Sequence, residues 1–171
     1  MSDPTSFAQI GNLPGGPNYG FAIEGETAYI AQAANGLRIV DISDPTNPSE
    51  IITVDTPGAA NNVSVKNGIA YVADANGHLQ IVDVSTPASA HIIGSRPANF
   101  PTQSVVTTDQ IAITMNSDSH DGELEFFDIT DPANPVSLHV TPYTTQLMGL
   151  FVDESKVYLG TTERFQIFSY D

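Results

Sequence analysis

Hydrophobic residues in this chain come in short runs rich in β-branched and aromatic side chains, bounded by Gly, Asn, Asp and Pro, and no stretch follows a helical period. The second quarter shows the plan. Strands are predicted at Asn62 to Lys66, Ile69 to Asp74, Leu79 to Val84 and His91 to Arg96, separated by Asn67-Gly68, Asn76-Gly77 and a proline turn. Asn-Gly pairs are strong hairpin signals because both turn residues tolerate the positive φ that a tight antiparallel reversal requires. The four strands are named A to D in chain order.

The same unit recurs. Gly36-Leu-Arg-Ile-Val-Asp-Ile-Ser-Asp-Pro45 returns as Gly77-His-Leu-Gln-Ile-Val-Asp-Val-Ser-Thr-Pro87 and as Gly122-Glu-Leu-Glu-Phe-Phe-Asp-Ile-Thr-Asp-Pro132. A weaker copy, Arg164-Phe-Gln-Ile-Phe-Ser-Tyr-Asp171, ends where the next Ser-Asp-Pro is due, and that fragment stands at the other end as Ser2-Asp3-Pro4-Thr5. The equivalent residues Ser2, Ser43, Ser85 and Thr130 are 41, 42 and 45 positions apart. Four short antiparallel strands per repeat of this length are the mark of a propeller blade. The expectation is an all-β, four-bladed β-propeller, each blade a four-stranded antiparallel sheet. One domain, 1–171, holds blades at about 18–56, 60–96, 102–141, and 146–171 joined by 6–13. Pairing the N-terminal strand, Phe7 to Leu13, with the C-terminal blade closes the ring and removes two exposed edges.

Leu-x-Ile-Val-Asp-Ile-Ser-x-Pro, preceded by Ala-Tyr-Ile/Val-Ala, resembles the LVIVD repeat, a family of β-propeller repeats found largely in secreted and cell-surface proteins of bacteria and archaea. The resemblance is strongest in the first two copies and weakest in the fourth, where Ser169 replaces the aspartate of Asp41, Asp83 and Asp128. It implies the fold and an extracellular or cell-surface setting if a signal has been removed. Without such a signal the expectation is cytoplasmic. It implies no catalytic motif. Family members often have more than four blades, so the chain either closes alone as a four-bladed monomer or forms part of a larger ring, such as a homodimer whose two chains make one eight-bladed ring.

Composition narrows the function classes. Five Lys and Arg stand against 20 Asp and Glu, a net charge of −15, and the basic residues are scattered. Nucleic acid and membrane insertion are disfavoured, since phosphate binding needs clustered cations and no run reaches the length of a span. Cysteine is absent, which excludes disulfides, thiolate metal sites and cysteine nucleophiles. Glu24, Glu26, Asp44, Asp109, Asp131, Asp153 and Glu154 make the A–B and C–D loop face acidic.

The B–C and D–A loops share the other face, and that face varies between repeats. From Met115 to Leu124 the B–C connection is three residues longer than its counterparts, giving Asn116-Ser-Asp-Ser-His-Asp-Gly-Glu123. Asp118 and Asp121 are candidate ligands for calcium or another ion, in this loop or the channel, and His120 with Asp121 is a candidate acid–base pair. A lone polar hairpin of this kind is more often a solvated turn. Tyr19, Phe100 and Tyr143 are candidate aromatic contacts around the axial opening. Asn61, Asp74, His78, Asn116 and Gln146 supply polar ones, a mixture suited to a glycan or peptide. The expected function is a binding module for a glycan, peptide or partner protein. The alternative is a small hydrolase or lyase with its site at the channel mouth.

Overall fold

The computed structural model describes residues 7–76, 78–153 and 155–170, with His78 described by its backbone alone. The Ser2-to-Thr5 fragment, Gly77 and Glu154 lie outside the described residues.

Four antiparallel sheets follow one another along the chain. Sheet 1 holds β1 (Gly20–Glu24), β2 (Thr27–Ala31), β3 (Leu37–Asp41) and β4 (Ser49–Val54). Sheet 2 holds β5 (Ala60–Lys66), β6 (Ile69–Asp74), β7 (His78–Asp83) and β8 (His91–Pro97). Sheet 3 holds β9 (Thr102–Thr107), β10 (Ile111–Ser117), β11 (Gly122–Asp128) and β12 (Val136–Tyr143), and sheet 4 holds β13 (Leu147–Asp153), β14 (Lys156–Thr161) and β15 (Phe165–Ser169).

Repetition extends to local chemistry. The third strand of sheets 1, 2 and 3 shifts register against the fourth at Ile39/Val40, Ile81/Val82 and Phe126/Phe127. A bulge at one fixed position bends the outer strand alike in each sheet. Just beyond it, Asp41, Asp83 and Asp128 accept the backbone N–H of Ser43, Ser85 and Thr130 at 2.8, 2.9 and 2.8 Å. Hydrogen bonds from these Ser and Thr residues hold the three carboxyls below the usual carboxylate range. The recurring aspartate is thus a turn former. Gly36 shows why glycine precedes the third strand: its φ is +78°, and a Cβ there would run into the Val54 carbonyl oxygen.

Each sheet buries one face on the next. Tyr29, Leu37 and Ile39 of sheet 1 pack with Val63, Val72 and Val82 of sheet 2. Their counterparts Tyr71, Leu79 and Ile81 pack with Val105, Ala112 and Phe127 of sheet 3. Met115 and Leu124 of sheet 3 meet Leu147 and Leu159 of sheet 4. First strands lie against first strands, β1 on β5, β5 on β9 and β9 on β13, so they line one side of the array.

One expectation is not met. Residues 7–19 form no strand, and sheet 4 has three strands with β15 at its edge. Closure of the ring through the N-terminal strand is therefore not shown among the described residues. The segment is held on sheet 1 instead: Gly11 lies against the Pro45 carbonyl, and Arg38 Nη1 donates to Pro14 O at 3.1 Å. Arg38 also pairs through Nε with Glu50 at 2.7 Å.

Candidate functional site

In sheets 1 to 3 the polar residue at the end of the second strand differs but does one job. Gln32 Nε2 donates to Asn18 Oδ1 at 2.8 Å, and Asp74 accepts from Gly58 N at 2.8 Å and Asn76 N at 3.1 Å. Asn116 Nδ2 donates to Glu123 at 3.3 Å, and Glu123 in turn accepts from Asn99 Nδ2 at 3.1 Å. Each ties the incoming D–A connection to the sheet that follows. Asp74 and Asn116 are fully buried at this bracing. The need for some polar brace at a fixed place, met differently in each copy, explains the variation that made these positions candidates.

Where the first strands converge there is a cavity of about 740 Å³. Tyr19 borders it from sheet 1, Asn61 and Asn62 from sheet 2, Gln103 and Ser104 from β9, Ser117 to Ser119 from the long hairpin, and Gln146 to Leu150 from sheet 4. Amides organise its wall. Asn61 Nδ2 donates to Thr102 O at 3.1 Å, Gln103 Nε2 to Ser117 O at 3.2 Å, and Asn62 Oδ1 accepts Val105 N at 3.2 Å. Tyr19 is anchored by its backbone N–H to Ala31 O at 3.0 Å while its residue remains 64% exposed. The cavity therefore offers one aromatic ring and several fixed amides.

Among the residues named from sequence, Tyr19, Asn61, Gln146 and Asp118 border this cavity. Phe100 is half-buried outside its lining, and Tyr143 packs on Met115, Leu124, Leu147 and Leu159, with burial pushing its phenol up. His78 begins β7, its backbone opposite Asp74 and Pro97. Asn62, Gln103, Ser104 and Ser119 were not singled out. Which side of a first strand meets the cavity is fixed only by packing of neighbouring sheets.

The three extra residues lengthen the β10–β11 hairpin and close it with a tight turn. Asp118 N donates to Asp121 O at 3.0 Å, and Asp118 Oδ1 accepts from His120 N at 2.8 Å and Asp121 N at 2.9 Å. Those two N–H donors lower the Asp118 carboxyl from its ordinary value. His120 and Asp121 are exposed, and the imidazole Nδ1 meets Ser119 Oγ at 2.7 Å. The polar partner of His120 is thus the serine beside it. Among the described residues no three His, Asp or Glu side chains converge on a metal position.

No curated protein matches the sequence. In fold, the chain is similar to the computationally designed Ika4 protein at 11% identity, with a TM-score of 0.76 over 97% of this chain and 100% of that one. It is also similar to the computationally designed Ika8 protein at 11% identity and a TM-score of 0.72, over 90% of this chain and 46% of that one, so it spans less than half of Ika8. Both likenesses concern fold alone. The LVIVD repeat matches residues 15–56 and 57–96, which hold sheet 1 and all of sheet 2 but Pro97. The chain thus carries two LVIVD repeats in tandem, followed by two sheets built on the same plan, in a propeller-like all-β fold.

Proposed function

We propose that this chain is an interaction scaffold that takes a glycan or a peptide segment in the cavity at the head of the first strands. The observation that carries the reading is the cavity itself: about 740 Å³, with an exposed tyrosine at one rim and amide side chains from sheets 2, 3 and 4 around it. A flat aromatic gives contact area at little entropic cost, and fixed amides give direction to hydroxyls or peptide groups. Titration calorimetry against panels of soluble oligosaccharides and short peptides tests it, with Tyr19→Ala and Gln146→Ala as variants at exposed positions. Saturable binding weakened at least tenfold by each is expected. Absence of binding to both panels, or affinity indifferent to both substitutions, overturns it.

A catalytic reading has one observation in its favour, the Ser119 Oγ to His120 Nδ1 contact on the hairpin that borders the cavity. A hydrolase or lyase there loses turnover on His120→Ala, whereas a binding module keeps its affinity.

A further inference from the structure

Both ends of the array leave unfilled the kind of face that every internal junction fills. Tyr71 and Ile81 of sheet 2 are 2% and 0% exposed against sheet 3, while in sheet 4 the counterpart Ile167 is 57% exposed and Phe165, the counterpart of Leu79, is 68% exposed. Phe151, Tyr158 and Phe165 form a ladder of rings on this face, with centroids 6.0 and 6.3 Å apart. At the other end, Val63 of β5 is 4% exposed beneath sheet 1, yet its counterpart Phe21 of β1 is 71% exposed. Phe21, Ala28 and Ile30 line an open, mainly apolar hollow of about 320 Å³. One end thus presents the knobs and the other the hollow of the same junction.

The N-terminal segment gives the second observation. Ile10-Gly11 aligns with Ile93-Gly94 of the outer strand β8. Gly94 approaches the C–D loop of the next sheet so closely that a Cβ would lie 2.7 Å from Ala133 O. Gly11 approaches the equivalent loop of sheet 1 at Pro45 O in the same way. Residues 7–13 therefore sit where the outer strand of a sheet preceding sheet 1 would sit, and β15 is the edge that lacks such a strand.

We propose that two copies of this chain associate head to tail, the fourth sheet of each docking on the first sheet of the other, to close a ring of eight sheets. Each junction then pairs β15 of one copy with residues 7–13 of its partner and buries Phe165 and Ile167 over Phe21 and Ile30. Continuity with the internal junctions selects a second copy as the occupant, since these two faces repeat an interface the chain already makes three times. A closing rotation turns such a head-to-tail contact into a finite ring. The fold also extends to chains about twice this length, of which this chain matches 46%.

Light scattering on the eluting full chain is expected to give twice the 18.2 kDa of one copy, and Ile167→Asp is expected to return it to one copy with an unchanged circular dichroism spectrum. By the β7–β8 register, in which Gln80 faces Ser95, Gln166 faces Asn12 across the junction. The chain has no cysteine of its own, so a mixture of Asn12→Cys and Gln166→Cys chains, oxidised, can join only between copies and should give a disulfide dimer. A single-copy mass, a crosslink formed only within the doubly substituted chain, or open oligomers that lengthen with concentration would each overturn the proposal.

Discussion

Ile81 and Ile167 hold the same place in two copies of one unit, opposite Tyr71 and Tyr158 respectively, but one is fully buried and the other 57% exposed. Replacing either by Ala deletes three carbons. At about 0.8 kcal/mol per buried CH₂, Ile81→Ala loses about 2.4 kcal/mol of transfer free energy, and a cavity between sheets 2 and 3 raises the cost to about 3–4 kcal/mol. Ile167→Ala loses less than half that area and leaves no cavity, because water fills the space, so about 1 kcal/mol is expected in a single copy. For a chain of this size about 3 kcal/mol lowers the Tm by roughly 6–12 °C. Urea unfolding of both variants, followed by circular dichroism at a concentration where the chain is single, gives the two values. Equal costs at the two positions, or a cost below about 1 kcal/mol for Ile81→Ala, would refute the reasoning from burial. If two copies pair, the Ile167 penalty grows with protein concentration while the Ile81 penalty does not.

Asp74→Ala strands the N–H groups of Gly58 and Asn76 and is expected to cost about 2–3 kcal/mol in chemical unfolding, with Asp74→Asn costing less because an acceptor remains. Glu125 is buried, which pushes its carboxyl pKa up, although Ser137 Oγ donates to it at 2.6 Å. A raised folded-state pKa penalises the folded protein at neutral pH and the penalty disappears as pH falls into the carboxylate range. Glu125→Gln should therefore raise the Tm at pH 7 and leave it unchanged near pH 4, as a pH series of melts would show. Asp41, Asp83 and Asp128 act with the opposite sign: their depressed pKa values favour the folded state above about pH 4, and that contribution fades as pH drops through their folded values. Converting all three to Asn should flatten the acid limb of the same series. Gly94→Ala sets a Cβ against a backbone carbonyl and is expected to lower the Tm, whereas Gly149→Ala meets open space and should leave it within about 2 °C.

Apart from the N-terminal segment, the sequence by itself determined the repeated strands, their order within each sheet and the turn chemistry, because these rest on neighbours in the chain: Asn67-Gly68 reverses it, and Asp41, Asp83 and Asp128 bind the backbone two residues on. It also determined that the β10–β11 hairpin is the odd one, since an insertion is visible as a count. It did not determine which polar residues meet in space. Asp74 and Asn116, candidates from sequence, are buried and hydrogen-bonded beside the loops, whereas Gln103 and Asn62, which no motif marks, wall the cavity. That distinction depends on how one sheet is rotated against the next, which long-range packing of Tyr29, Tyr71 and their partners sets and no local pattern encodes. The ring end is the same lesson at larger scale. Phe7 to Leu13 reads as the missing strand of sheet 4, and only the tertiary structure shows Gly11 resting on the Pro45 loop and the following Pro14 on Arg38 of sheet 1, because a repeat carries the shape of its junctions but not the identity of the chain that fills the last one.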